Sequence, residues 1–165
     1  MGNTIPKRPP VSSGKTRICV TGYGISHNVN RAKKLAESIA EKHPDTYETW
    51  FHFDTFKFKE ILAEILNEIP VEQKSKPSTL DRGKTIGEHT SAPFVWFERG
   101  GEFESDGETI KGKTYEAIGG RDKFCEWAGK EFEGVKSIES LSSIDSPPLS
   151  EIFFTSDGGT WNKKE

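Results

Sequence analysis

In the first seventy residues, two short apolar segments each run into an amphipathic helical pattern, and this alternation strongly restricts the possible folds. Residues 17–21 predict a buried strand, after which apolar residues recur at helical spacing to about His43, just before Pro44. The pattern repeats with a second strand over Tyr47–Phe53 and a second helix, capped by Asp54 or Thr55, that ends at Pro70. Because strand–helix–strand units pair their strands in parallel with a right-handed crossover, the chain is predicted to form an α/β domain.

The second half of the chain predicts two more strands and a third helix. Residues 93–97 form a third strand, residues 98–113 an enlarged connection, and residues 115–118 the returning strand. Gly119 and Gly120 then precede a last helix over residues 121–132. We therefore expect a four-stranded mixed sheet flanked by three helices, over residues 16–132. The stretch 71–90 between the halves is predicted to be a long loop.

The two ends of the chain differ in composition from this central domain. Residues 1–15 are rich in proline and basic residues, and residues 133–165 are rich in serine and proline. We expect both to be extended arms: the first becomes ordered only against a partner, and the second docks either on this domain or on a partner. The apolar anchors of the second arm are Ile152, Phe153, Phe154 and Trp161.

Charge and hydropathy exclude two classes of function. The net charge is −3 and the charges are interspersed, with no basic patch of the kind that binds nucleic acid. No run of eighteen apolar residues occurs, so no membrane span is predicted and we expect a cytoplasmic protein.

The two cysteines, Cys19 and Cys125, both lie in apolar surroundings. Two cysteines cannot build a disulfide scaffold, and neither has ligands at zinc spacing, so we interpret both as reduced core thiols. Asp54, His52 and His89 also lack metal-ligand spacing. We therefore predict neither a metal nor a cofactor.

The loop at residues 22–27 joins the first strand to the first helix and admits several interpretations. Its glycines half-match a dinucleotide-binding fingerprint, but bulky His27 occupies the third glycine position, so a tight strand-to-helix turn is favoured. The helix start at Ser26 could also hold an anion. For His27, a capping or solvent-facing role is favoured over acid–base catalysis. A Ser–His–Asp hydrolase is disfavoured, because no Gly-x-Ser-x-Gly motif is present.

Three short motifs resemble the glutaredoxin family, whose members have the thioredoxin fold. Residues 26–35 resemble the helix start Cys-Pro-Tyr-Cys-x-Arg-Ala-Lys-x-Leu, with Ser26 and Val29 in place of the cysteines. Residues 91–93 resemble a Thr-Val-Pro segment with a cis proline, and residues 118–122 resemble an Ile-Gly-Gly-x-Asp turn that holds the glutathione carboxylate. The resemblance implies a vestigial ligand pocket formed by Ser26, His27, Val29, Ser91, Ala92, Pro93, Gly119, Gly120, Arg121 and Asp122.

The resemblance also implies the loss of redox catalysis. Thiol exchange needs a thiolate of lowered pKa, and a serine hydroxyl neither ionises near neutral pH nor forms a mixed disulfide. We therefore expect a protein that is not an enzyme. The alternative is a residual binder of glutathione or a small anion with thiol-redox-related activity.

Residues 92–96 and 119–128 show a narrower resemblance, to the N-terminal domain of the divergent, cilium-associated malate dehydrogenase-like proteins. It spans residues 16–132, and the chain carries no dehydrogenase domain, so no dehydrogenase activity is implied. The resemblance implies a structural, protein-binding module of a multi-subunit assembly such as the ciliary or flagellar axoneme. Its expected partners are axonemal or microtubule-associated proteins.

Overall fold

The computed structural model describes residues 8–24, 27–80, 83–103, 105–107 and 110–142. Within these ranges the chain forms four strands and four α-helices. In chain order they are β1 (Thr16–Gly22), α1 (His27–Lys42), β2 (Tyr47–Phe53), α2 (Phe58–Glu68), β3 (Phe94–Phe103), β4 (Ile110–Gly119), α3 (Arg121–Glu131) and α4 (Lys136–Ser142).

The strands form one mixed sheet in the order β2-β1-β3-β4. Strand β1 pairs in parallel with β2 and antiparallel with β3, and β3 pairs antiparallel with β4. This arrangement confirms the predicted α/β class and the four-stranded mixed sheet.

Apolar side chains cover both faces of the sheet. Successive strand residues point to opposite faces, so Ile18 and Val20 pack with α1, α3 and α4, whereas Cys19 packs with α2. All three side chains are fully buried. Helix α1 buries one apolar stripe, and the larger members of that stripe are Val29, Leu35 and Ile39.

The start of α2 differs from the predicted cap. Helix α2 begins at Phe58, and no side chain caps it. The Asp54 carboxylate instead accepts hydrogen bonds from the backbone N–H groups of Phe56 and Lys57, both at 3.0 Å, in the turn before the helix. The Thr55 hydroxyl accepts one from the N–H of Gly24 at 3.0 Å, so Thr55 binds the loop after β1, whereas Asp54 holds the turn that ends at Lys57, directly before the helix.

The number of helices corrects the prediction of three. The fourth helix, α4, lies within the predicted C-terminal arm and packs on α1 and α3 through the fully buried Ile138. The carbonyl of Leu141 also accepts a hydrogen bond from Arg31 of α1 at 3.3 Å. Residues 133–135 and helix α4 therefore extend the folded part of the chain to Ser142.

Part of the predicted N-terminal arm also packs on the domain. Arg8 and Val11 are buried, and the N–H of Val11 donates to the carbonyl of Gly100 at 3.3 Å. Residues 1–7 and 143–165, with the predicted apolar anchors of the second arm, lie outside the described residues.

The long loop predicted at 71–90 covers the outer edge of β4. It contains two 3₁₀ turns, Val71–Gln73 and Ile86–Glu88. The side-chain amide of Gln73 donates to the carbonyl of Tyr115 and accepts from the N–H of Ala117 at 2.6 Å, so it occupies the edge as a neighbouring strand would. Strands β3 and β4 are also longer than predicted, since they continue into the hairpin.

None of the helices in the described ranges is both long enough and apolar enough to cross a membrane.

We predict that α4 contributes to the stability of the domain. The substitution Ile138→Ala removes a fully buried side chain, so it should lower the free energy of unfolding by about 2–4 kcal/mol. The control Lys136→Ala, at an exposed position of the same helix, should change it by less than about 0.5 kcal/mol. Urea denaturation followed by circular dichroism measures both, and equal values would contradict the packing of α4.

Candidate functional site

A polar pocket of about 150 Å³ lies where the first turn of α1 meets the first turn of α3. Both helices follow a strand of the sheet, so their N-termini reach the same end of the domain. The 71–90 loop and the turn before β3 complete the walls. The pocket is lined by Asn28, Thr79, Ser91, Ala92, Gly120, Arg121 and Asp122.

Five of the ten residues predicted from the sequence line this pocket: Ser91, Ala92, Gly120, Arg121 and Asp122. The sequence reasoning did not select Asn28 or Thr79. Asn28 stands inside the helix-start motif, which could have indicated it, whereas nothing in the sequence pairs Thr79 with this site. Ser26 and the side chain of His27 lie outside the described residues.

Val29 belongs to the core and not to the pocket. Its side chain is buried among α1, the sheet and α3, and it lies against Gly22 at the end of β1. A Cβ atom on Gly22 would come within 2.5 Å of a Val29 methyl group, so only glycine fits there. This close approach gives the strand-to-helix turn at Gly22 a packing role.

Gly119 and Gly120 connect β4 to α3 behind the pocket. Gly119 has a φ of +121°, and a Cβ atom there would collide with the backbone of Ser78. The N–H of Gly120 donates to the carbonyl of Ser78 at 2.9 Å. The 71–90 loop therefore approaches this turn so closely that a side chain at position 119 is excluded.

The buried side chain of His89 links the 71–90 loop to the turn before β3, which form one side of the pocket. Its Nε2 lies 3.2 Å from the carbonyl of Pro93 and its Nδ1 lies 3.1 Å from the Ser78 hydroxyl. The carbonyl can only accept, so Nε2–H donates to it and, in the neutral ring, Nδ1 accepts from Ser78. Burial lowers the pKa of His89, against the opposing effect of hydrogen bonds to the backbone at Pro93 and Ser91.

The turn that His89 holds contains a cis peptide bond between Ala92 and Pro93, the isomer implied by the glutaredoxin resemblance. Pro93 itself does not line the pocket; its carbonyl faces His89.

The charged groups at the pocket come from the start of α3. The guanidinium of Arg121 pairs with the carboxylate of Asp122 at 2.8 Å, and both side chains are partly exposed. Gly120 caps the helix without a side-chain hydrogen bond. Backbone N–H groups at a helix N-terminus beside an arginine can hold a small anion. Within the described ranges, no group of three or more His, Cys, Asp or Glu side chains is suited to hold a metal ion.

Both cysteines are free and buried, which confirms the prediction of core thiols. Neither lines the pocket: Cys19 lies in β1, and Cys125 lies in α3 with its thiol 3.9 Å from the carbonyl of Leu141. Burial raises the pKa of Cys19 well above its usual range, and burial raises the pKa of Cys125 to about 11.

Comparisons of the chain with models of protein families, with curated proteins and with solved structures gave no match.

We predict that Gly119 is a structural requirement of the pocket. Gly119→Ala should lower the free energy of unfolding by about 3 kcal/mol or more, because it adds a backbone collision to the cost of a positive φ. Gly107→Ala is the matched control: its φ of +74° is also positive, but nothing lies within 4 Å of the added Cβ atom, so a loss of about 1 kcal/mol is expected. Chemical denaturation measures both losses, and similar values would show that the approach of Ser78 is not restrictive.

Proposed function

We propose that this domain is a non-catalytic, protein-binding module of a larger assembly, built on a glutaredoxin-like layout from which thiol chemistry has been lost. The observation that carries the proposal is the position of the two cysteines. Cys19 and Cys125 are buried away from the pocket, whereas the positions that resemble the redox pair hold Ser26 and Val29.

The chemistry of thiol exchange supports a non-catalytic role. The attacking group must be an accessible thiolate, commonly at a helix N-terminus that lowers its pKa. Burial keeps Cys19 and Cys125 protonated near neutral pH. At the helix start, Val29 contributes a packed apolar side chain with no nucleophilic atom.

The layout supports the glutaredoxin-like part of the proposal. The mixed sheet β2-β1-β3-β4, with α1 and α3 on one face and α2 on the other, is consistent with a thioredoxin-like arrangement. The turns at residues 91–93 and 119–122, selected from the sequence as parts of one pocket, adjoin each other.

The cellular setting proposed for the module, on the sequence resemblance alone, is the axoneme of a cilium or flagellum. Immunofluorescence in ciliated cells tests it, since the signal should follow the axoneme. A diffuse cytoplasmic signal that is absent from the cilium would contradict this setting without bearing on the fold.

We predict that the protein has no thiol–disulfide reductase activity. At pH 8 a pKa of about 11 reduces the thiolate fraction of Cys125 on the order of 100-fold relative to an unperturbed thiol. Cys19 is fully buried and its pKa is also raised well above the usual range, so its thiolate fraction is small as well. Ellman's reagent should therefore react slowly with native protein and rapidly after unfolding in guanidinium. Turnover of a disulfide substrate by the wild-type chain that is lost in the double variant Cys19→Ala/Cys125→Ala would disprove the non-catalytic role.

Partner binding is tested by copurification from native extract after mild crosslinking. The wild-type chain and the double variant Cys19→Ala/Cys125→Ala should recover the same partner proteins, because binding does not depend on a thiol. Loss of all partners in a folded double variant would indicate thiol trapping instead. If neither chain recovers a partner protein, the proposed protein-binding role is contradicted.

A second candidate function is the binding of glutathione or a small anion, with thiol-redox-related activity. The observation that favours it is the pocket itself, because Arg121 and the start of α3 adjoin Ser91 in one polar cavity. Calorimetric titration with reduced glutathione should then give micromolar affinity. Arg121→Ala should weaken that binding, whereas Arg99→Ala, on an exposed side chain of β3, should not. No heat with the wild-type chain would exclude this candidate.

A further inference from the structure

The α2 side of the sheet holds a second built site, occupied by the side chain of Arg8. The Arg8 guanidinium lies over two indole rings, 5.3 Å from the centroid of Trp50 and 5.7 Å from that of Trp96. Its Nε donates to the Glu98 carboxylate at 2.8 Å, and its terminal nitrogen pairs with Glu68. We name these four surrounding side chains the arginine cage. Cation–π contact together with charge-assisted hydrogen bonds is a selective combination for a guanidinium.

Contacts within the folded domain, apart from those of Arg8, also position the cage. Trp50 and Trp96 both pair with the same residue of β1, so their rings lie on one face of the sheet. The indole N–H of Trp96 donates to Glu98 at 2.8 Å. The hydroxyl of Tyr115 donates to Glu68 at 3.0 Å. Each carboxylate of the cage is therefore oriented by a side chain of the domain.

The charge of Glu98, the buried carboxylate of the cage, is also balanced by cations of the domain. Glu98 is fully buried, and besides Arg8 its carboxylate contacts Arg17 at 3.1 Å and Lys113 at 3.4 Å. Burial raises the pKa of Glu98, but the three surrounding cations and the hydrogen bond from Trp96 together outweigh that effect, so the net pKa is lowered. Removal of Arg8 leaves a carboxylate that is still paired twice, so the cage can persist while empty.

The segment that carries Arg8 contacts the domain as a linear peptide would. Residues 8–15 form no helix or strand, and two prolines follow Arg8 directly. Beyond Arg8, the carbonyl of Pro9 accepts from Arg17 at 2.5 Å, and the N–H of Ser12 donates to Glu48 at 3.3 Å. Val11 is the second buried anchor. Peptides are often recognised in this way, with one anchor side chain in a pocket and the neighbouring residues bound in an extended conformation.

We propose that the arginine cage is a recognition site for an extended arginine–proline segment of a partner protein, which the chain's own Arg8 occupies until that segment displaces it. This inference names the class of partner that the proposed protein-binding module would recognise, and it rests on that proposed function. Copurification tests the role, and a peptide titration tests the cage, so the two can fail separately.

The test uses the full chain and a fluorescein-labelled peptide of residues 5–15. Arg8→Ala in the full chain empties the cage, so this variant should bind the peptide at least tenfold more tightly than wild type, measured by anisotropy. A peptide with Arg8→Ala should not bind, whereas a control peptide with Lys15→Ala should bind like the original. Equal affinity of both chains for the original peptide, or equal affinity of the original peptide and its Arg8→Ala variant, would overturn the proposal.

Two further measurements keep the proposal testable if the Arg8→Ala variant fails to fold. Arg8→Lys retains the positive charge without the planar fork, so its affinity for the peptide should lie between those of wild type and the emptied cage. In the wild-type chain, excess peptide should accelerate amide hydrogen exchange at Val11, because the arm is displaced. Unchanged exchange at peptide concentrations that saturate the anisotropy signal would overturn displacement. A concentration-dependent dimer, in which the arm of a second copy fills the cage, would overturn the assignment to a partner protein.

Discussion

Strand β1 is hydrogen-bonded on both edges and buried on both faces, and the rest of the domain depends on this placement. Its neighbours run in opposite directions, β2 parallel and β3 antiparallel. Each face must then be covered by other parts of the chain, because the residues of β1 after Thr16 are buried on both faces and leave neither side for water. The same alternation sends Cys19 to the α2 face, away from the pocket between α1 and α3. The geometry of one strand thus separates the Cys19 thiol from the pocket.

The buried carboxylate of Glu98 on the α2 face is a second constraint, because it requires cations close to it. Glu98 stands between Arg17 of β1 and Lys113 of β4, so three strands contribute to one ionic cluster. Leaving the buried Glu98 carboxylate with no cation at all would be strongly destabilising, commonly by about 3–5 kcal/mol. Arg8 completes the cluster from outside the sheet, and burial of its guanidinium draws the N-terminal segment onto the domain. Residues 8–15, which composition assigns to an extended arm, are thus packed on the domain, with Val11 as a second buried contact.

The sequence predicts the fold better than it predicts the edges of the domain. The helical stripe of α1 and the aromatic strand β2 are apparent from apolar spacing, because burial on one face leaves a periodic trace. Helix α4 leaves almost none: in seven residues, only Ile138 is a fully buried apolar side chain, within a serine-rich segment. The burial of Arg8 could not be predicted for a related reason. A buried arginine can be recognised only from the residues that pair with it, and Glu98 lies ninety residues away in the chain.

The pocket shows the same division between local and long-range information. The residues at 91–93 and 119–122 could be selected because each stands in a short motif at a turn, and turn residues are set by local backbone requirements. Thr79 and the Ser78–His89 pair could not, since they reach the pocket only when the 71–90 loop packs on the β4–α3 turn. That loop is held in place by contacts that need no thiol: Gln73 on the β4 edge, Ser78 against Gly119, and His89 behind Pro93. A pocket supported in this way keeps its shape without a thiol beside it. The fold therefore holds a polar cavity whose lining contains no thiol, which is the physical condition that the proposed non-catalytic role requires.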